Sequence, residues 1–287
     1  MGKSVIEIVN EKIIEKLENG VNPWRKTWVT SGGIKTNEPK NYITNKAYSG
    51  INFVLLDPGY YMTFKQCNEL GGTIKKGAKG NLIVYAAPYE KETDDEIKMG
   101  FVLRYYYVFR LEDCENIREI KTRPIENVDY NETIMTDAAI DAIIEDYAKR
   151  TNLTLKNIEQ DRAYYNHSSD TVVLPLTKQF ENINEYYSTA FHELGHSTGH
   201  HTRLNREGIN GMNYFGSDKY SKEELIAEIT SAYCMNYCGI ETNATLENSA
   251  AYLKAWANHL KGNTANYFIM NATTHAEKAF KLIMNIK

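Results

Sequence analysis

Residues 186–196 read Tyr186-Tyr187-Ser188-Thr189-Ala190-Phe191-His192-Glu193-Leu194-Gly195-His196, an apolar run that closes on two histidines four positions apart. No proline interrupts it. On an α-helix His192 and His196 lie one turn apart on a single face, so both imidazoles can reach one metal ion. Glu193 is turned about 100° from His192, beside the metal, where it can take a proton from a metal-bound water. Zn²⁺ suits two imidazoles and a carboxylate with a fourth position left for that water. A short motif of this kind also arises by chance on surface helices. Here the helix-compatible flank and the run Gly199-His200-His201 that follows favour the metal, and the stretch predicts a zinc hydrolase.

The third ligand lies elsewhere in the chain. One zinc-peptidase class continues with Gly and a third His at fixed spacing, but after Gly199 that spacing falls on Thr202, and His200 and His201 are out of register. The other common solution is a Glu on a following helix. Ser221 followed by Glu224 reads as a capping box that starts a helix running to Cys238. Leu225, Ile229 and Ala232 form its core-facing stripe. Glu228 lies on that side among apolar residues, where a carboxylate is costly unless it is paired or binds metal. Glu228 is therefore the expected third ligand. Glu224 is the rival, or a partner behind a ligand His, with a capping role already available to it.

Length and composition leave room for two domains. The chain has 287 residues, 42% hydrophobic and 24% charged, in the range of folded soluble proteins. It holds no apolar run long enough to span a bilayer, and residues 1–7 lack the features of a secretory leader. Cys67, Cys114, Cys234 and Cys238 form no CxxC pair, as expected of reduced thiols in a cytoplasmic protein. Charge is uneven: residues 1–125 carry 19 Lys+Arg against 16 Asp+Glu, and residues 126–287 carry 14 against 21. Residues 21–80 alone carry 9 against 3. An acidic metal domain therefore follows a domain with a basic segment.

That basic segment is interleaved with aromatics. A first helix, about Val5–Asn19, places Ile6, Val9, Ile13 and Leu17 on one face and stops at Gly20. Pro23-Trp24-Arg25-Lys26-Thr27-Trp28 follows, then a polar loop with Tyr42 and Tyr48. Thr63 caps a short helix to about Leu70. Lys75, Lys76 and Lys79 sit in a glycine-rich turn that enters a strand at Asn81–Ala87, whose partner Phe101–Leu111 carries Tyr105, Tyr106 and Tyr107. Aromatic faces stack on unpaired bases at roughly 1–3 kcal/mol each while lysines track phosphate. The same residues also serve as ordinary core and a solvated turn, so composition leaves nucleic-acid binding as one option among several.

The order of these segments resembles the ArdC-type antirestriction proteins of plasmids and conjugative elements. The blocks that carry the resemblance begin with Pro23-Trp24, Asn41, Tyr48-Ser49-Gly50-Ile51-Asn52, Leu55-Leu56, Thr63 with Gln66, Gly71-Gly72, Lys75-Lys76-Gly77 and Lys79-Gly80. They continue with Tyr187, His192–His196, Thr198-Gly199-His200, Arg203-Leu204 and Phe215-Gly216. The last are Tyr220, Glu223-Glu224-Leu225, Ala227-Glu228, Ala251-Tyr252 and Trp256. The match covers about residues 5–285. Ala78 departs from it where an acid is usual, and Ser197 where an aromatic is usual. The resemblance implies an N-terminal single-stranded-DNA-binding domain, shared with some plasmid primases, and a C-terminal zincin-like metallopeptidase domain.

The expected architecture is α+β: a mixed α/β DNA-binding domain over 1–125, then a mostly helical zincin-like domain with a small sheet over 126–287. The linker falls at about Cys114–Thr133. Helix Asp137–Arg150 opens the second domain, and short strands follow near Ala163–Asn166 and Thr171–Leu174. Thr171–Leu174 is expected at the sheet edge beside the metal, where a peptide could pair its backbone. Packing helices are expected over Ser249–Leu260 and Ala265–Ile286. The expected site is His192, His196 and Glu228 on Zn²⁺ with Glu193 as general base, and His200, Arg203 and Tyr214 as candidates for the oxyanion. Trp24, Trp28, Tyr42, Tyr48, Lys75, Lys76 and Lys79 are expected on single-stranded DNA. A DNA-bound protein is the expected substrate class, and no membrane partner is expected. The alternative is a protective DNA-binding protein whose metal domain is structural or catalytically vestigial. A nuclease is disfavoured, since no clustered Asp/Glu set suited to Mg²⁺ is present.

Overall fold

The computed structural model describes residues 2–21, 23–24, 39–92, 97–118, 135–210, 218–240 and 268–286. Two units emerge, one of Met1–Glu15 with Val29–Val128, the other of Lys16–Trp28 with Asp129–Lys287. Trp28, Tyr214 and the helix expected over Ser249–Leu260 lie outside the described residues.

Helix α1 (Val5–Glu18) opens the chain. Ser4 and Glu7 satisfy each other's backbone N–H groups at its start, and Ile6, Val9, Ile13 and Leu17 are buried along one face. It ends at Gly20, whose φ of 73° lets the chain turn back on the last carbonyls.

The first unit is built on a sheet of β1 (Pro39–Asn41), β2 (Gly59–Thr63), β4 (Asn81–Glu92) and β5 (Ile97–Arg110), in the order β1-β2-β5-β4. β1 and β2 run parallel and the other pairs antiparallel. On one face Leu56, Tyr61, Ile83 and Val108 pack together with Tyr48 against them. On another cluster Tyr42, Met62 and Cys67 are buried with Leu70, Ile74 and Cys114 around them. Helix α2 (Ile51–Leu55) lies beside β4, and the Asn52 side chain both donates to the Val84 carbonyl (2.7 Å) and accepts from its N–H (2.8 Å). Asn52 thus satisfies backbone groups on β4, the last strand of this sheet among the described residues. The capping box expected at Thr63 is present: its hydroxyl accepts from Gln66 N–H and the Gln66 side chain accepts from Thr63 N–H, starting α3 (Phe64–Glu69). A short ladder of β3 (Thr73–Ile74) and β6 (Cys114–Glu115) flanks the lysine turn.

The second unit opens with α4 (Asp137–Thr151), capped by the Thr136 hydroxyl and closed by Asn152 in the left-handed region. Its sheet is β7 (Thr154–Ile158), β9 (Thr171–Pro175) and β8 (Tyr164–Asn166), in the order β7-β9-β8. This corrects the strand expected at the edge. Thr171–Leu174 is the central strand and every residue of β9 is buried. The reason is β7, a run of mostly exposed residues that gave little signal yet pairs in parallel with β9 and covers the edge. A continuous apolar run such as Val172-Val173-Leu174 is what a strand enclosed on both sides requires.

Three longer helices complete the unit: α5 (Ile183–Ser197), α7 (Asp218–Cys238) and α8 (Phe268–Met284), with the single turn α6 (Glu207–Asn210) before α7. Their core joins Ile140, Ile144 and Tyr147 of α4 to Tyr187, Phe191 and Leu194 of α5 and to Cys234 and Cys238 of α7. Cys67, Cys114, Cys234 and Cys238 are all free thiols. No helix among the described residues is long and apolar enough to cross a membrane.

Candidate functional site

α5 and α7 meet at Gly195. A Cβ there would stand 3.1 Å from Ala227 Cα and 3.3 Å from Thr230 Cβ, so the glycine of the histidine motif lets the two helices touch backbone to backbone. The Ser231 hydroxyl donates to the Ser188 carbonyl (2.8 Å) two turns away. This close approach brings the glutamates of α7 onto the histidines of α5.

His192 and His196 aim their Nε2 atoms at one point, 3.1 Å apart, with the rings edge to face. Two nitrogens bound to one tetrahedral Zn²⁺ at about 2.0–2.1 Å would stand roughly 3.3 Å from each other. The carboxylate of Glu224 completes the set: Oε2 lies 3.5 Å from His192 Nε2 and Oε1 lies 3.5 Å from His196 Nε2. Among the described residues, His192, His196 and Glu224 are the group whose ligand atoms all lie within 4.8 Å of one another.

In this arrangement Glu224, rather than the expected Glu228, faces both Nε2 atoms. Glu228 Oε1 instead stands 3.5 Å from Nδ1 of His192, behind the ring. The physical reason lies at the helix start. α7 begins at Asp218, three residues before the start expected at Ser221. Glu224, one turn before Glu228, reaches both imidazoles. Glu223 Oε1 stands 3.6 Å from Nδ1 of His196, so each histidine has a carboxylate behind it as well as Glu224 in front. An imidazole held this way is fixed in ring orientation and made a better donor at its other nitrogen.

The electrostatics agree. Burial works against a charged His192, but the Glu224 hydrogen bond and the charges of Glu228 and Glu193 outweigh it and push its pKa up to about 9. A metal ion binding here would have to displace that proton, so its binding would depend on pH. Glu193 is buried on α5 next to His192.

Two of the three oxyanion candidates are otherwise engaged. Arg203 binds both carboxylate oxygens of Asp170 and donates from Nε to the Ser197 carbonyl (2.7 Å). His200 is buried, pairs through Nδ1 with the Thr202 hydroxyl (2.8 Å) and is less basic than usual because of that burial. Ser197 is buried with its hydroxyl 2.9 Å from that of Tyr147. The pair Arg206–Glu223 gave no signal in the sequence beyond two charged residues near the motif, yet both are buried and joined by two contacts.

The residues expected on DNA divide sharply. Trp24 is 1% exposed and Tyr42 8%, so neither offers a face to a base, which corrects the expectation for both. Tyr48 is half-buried, edge-on to Tyr61, with its hydroxyl accepting from Asn41. Lys75, Lys76 and Lys79 are exposed as expected, although Lys75 Nζ donates to the Glu112 carbonyl (2.7 Å). Exposed aromatics of this unit include Phe64 on α3, Tyr85 on β4 and a run on β5. Tyr105 and Tyr107 are 43% and 49% exposed on one face, and Tyr106 lies on the other, edge-on to Tyr85.

Comparison with known proteins fits this picture. Residues 142–275 match the zincin-like metallopeptidase family, and residues 3–124 match the N-terminal domain of the anti-restriction factor ArdC. The chain belongs to the ArdC-type family. Two solved structures of the antirestriction ArdC protein from plasmid R388, one metal-free and one Mn(II)-bound, share its fold with a TM-score of 0.74 at 29% identity over 99% of this chain. They are matched over 100% and 98% of their own length. Two proteins of Escherichia coli named DNA primase TraC are 31% and 33% identical over 97% and 95% of this chain. This ArdC-type chain spans only 20% and 26% of those primases. An uncharacterized protein of Sinorhizobium fredii, y4eC, is 26% identical over 92% of this chain and 87% of its own.

Proposed function

We propose that this ArdC-type chain is an antirestriction protein that binds single-stranded DNA through its first unit and carries a zinc-dependent peptidase site in its second. The observation that carries the second half is the convergence of His192, His196 and Glu224 across two helices, with Glu193 one position from the first histidine. The Mn(II)-bound relative supports a divalent metal in such a site. Two imidazoles and one carboxylate, with no fourth protein ligand among the described residues, suit Zn²⁺ in a catalytic rather than a structural site.

His192, His196 and Glu224 would hold the ion, and Glu223 and Glu228 would orient the two rings from behind. When bound, the metal supplies a water acidic enough to act as a nucleophile near neutral pH and a Lewis acid for a peptide carbonyl. Glu193 would accept the proton from that water and return it to the leaving amine. A protein bound to DNA is the substrate class that the first unit would deliver.

For the first unit, the exposed face of Tyr105 and Tyr107 offers stacking, and Lys76 and Lys79 offer phosphate contacts. Gly80 joins them. A Cβ on Gly80 would stand 2.8 Å from Tyr107 Cβ, so the chain beside Lys79 runs directly past that tyrosine. Only unpaired bases present π-faces to such a surface. The test is fluorescence anisotropy of the full chain with matched single- and double-stranded oligonucleotides, alongside cleavage assays with and without DNA. Preference for the single strand, and cleavage lost in Glu193→Gln, is the expected result. Equal affinity for both forms would contradict the DNA half, and cleavage unaffected by Glu193→Gln would contradict the peptidase half.

A further inference from the structure

Arg206 stands in the turn before α6, and its guanidinium is buried between the two helices of the metal centre. Toward α7 it holds Glu223, with Nε 2.9 Å from Oε2 and Nη2 on Oε1. Toward α5 it donates from Nη1 to the Thr198 hydroxyl (2.6 Å) and from Nη2 to the Gly195 carbonyl (2.8 Å). The residues it grips, 195 and 198, flank His196. The residue it grips on α7, Glu223, precedes Glu224 and faces Nδ1 of His196 at 3.6 Å.

Two glycines make room for this arrangement. A Cβ on Gly199 would stand 2.9 Å from Arg206 Nη2 and 2.6 Å from Ile209 Cγ1. One on Gly208 would stand 3.0 Å from Glu223 Oε2. The fork of an arginine fixes a carboxylate in plane, which a lysine could not do. A carboxylate fixed in this way holds the ring it faces.

We infer that Arg206 and Glu223 are a positioning pair that sets His196 and Glu224 for metal binding, which rests on the reading of His192, His196 and Glu224 as the metal ligands. A clamp that only joined α5 to α7 could sit anywhere along their contact. This one ends on the far nitrogen of a ligand histidine and on the residue next to the ligand glutamate.

The two roles separate in the double variant Arg206→Met with Glu223→Leu. Replacing a buried ion pair by apolar groups of similar volume removes both charges and leaves none orphaned. The metal-free double variant is expected to melt within a few degrees of the metal-free parent chain. Its affinity for Zn²⁺, measured by competition with a chromophoric chelator, is expected to fall by about 10–100-fold, the usual loss when a partner behind a ligand is removed. A double variant that binds Zn²⁺ as tightly as the parent chain would overturn the inference and leave a simple clamp. If the double variant does not fold, Glu223→Gln decides. A fall of about tenfold or more in Zn²⁺ affinity supports the inference, and an unchanged affinity overturns it. A parent chain that takes up no Zn²⁺ would contradict the metal-centre reading itself, a failure distinct from these.

Discussion

The Glu228 carboxylate stands 3.5 Å from Nδ1 of His192, on the side of the ring away from Glu224. One turn of α7 thus supplies two carboxylates to one imidazole, Glu224 in front and Glu228 behind. The two differ in role because Nε2 faces His196 and Nδ1 does not.

This difference predicts unequal substitutions. Glu224→Gln removes a ligand and should abolish tight Zn²⁺ binding. Glu228→Gln removes only the group behind His192 and should weaken binding by about 10–100-fold. Chelator competition on both variants checks it. Equal losses would put the two glutamates in equivalent positions.

The stretch of sequence that decided the fold was legible because its signal is local. His192 and His196 need only an unbroken helix to share a face, and residues 183–197 form one. The choice between Glu224 and Glu228 depended on where a helix begins. A serine three residues before a glutamate looks the same whether it caps a helix or lies a turn inside it. The exposure of Trp24 and Tyr42 was equally unreadable, since an aromatic residue in a basic segment serves as core or as platform with no change in its neighbours. Burial of β9 depended on β7, whose five residues include a single inward apolar position, Leu155. Pairing of Arg206 with Glu223 joins residues 17 positions apart through a loop, a contact no periodicity marks.

Gly195→Ala should separate α5 from α7. The new methyl would meet backbone at 3.1 Å, and overpacking of this kind costs roughly 1–3 kcal/mol. Thermal melting of the metal-free protein should show the loss, and Zn²⁺ affinity should fall with it because the ligands come from both helices. An unchanged melting temperature would mean that the helices give way freely.

Trp24→Ala should destabilise the fold by about 3–5 kcal/mol while leaving DNA affinity per folded molecule unchanged, because the ring is buried. Tyr107→Ala should do the reverse, lowering affinity for single strands with little change in stability. Neutralising Lys76 and Lys79 should flatten the salt dependence of binding, since fewer counterions are released. Anisotropy titrations at several salt concentrations, beside melting curves, separate the three effects.

Asp170 predicts a pH effect. Burial disfavours its charge, but the Arg203 and Tyr165 hydrogen bonds outweigh that and hold its carboxyl below the ordinary value of 3.8. A depressed carboxylate contributes stability that is present above 3.8 and is lost as pH falls through the lower folded value. Asp170→Asn should therefore lower stability at neutral pH and make the remaining stability fall less steeply in acid. Urea unfolding between neutral pH and strong acid measures the difference between the two slopes. Parallel pH profiles for both proteins would remove Asp170 from this role.

Everything proposed for the second unit rests on a metal held by His192, His196 and Glu224. A crystal of the protein grown with Zn²⁺ and measured on both sides of the zinc absorption edge tests it most directly. One anomalous peak is expected within bonding distance of Nε2 of His192, Nε2 of His196 and a carboxylate oxygen of Glu224. A peak bonded to Glu228 in place of Glu224, or no peak between the two histidines, would contradict it.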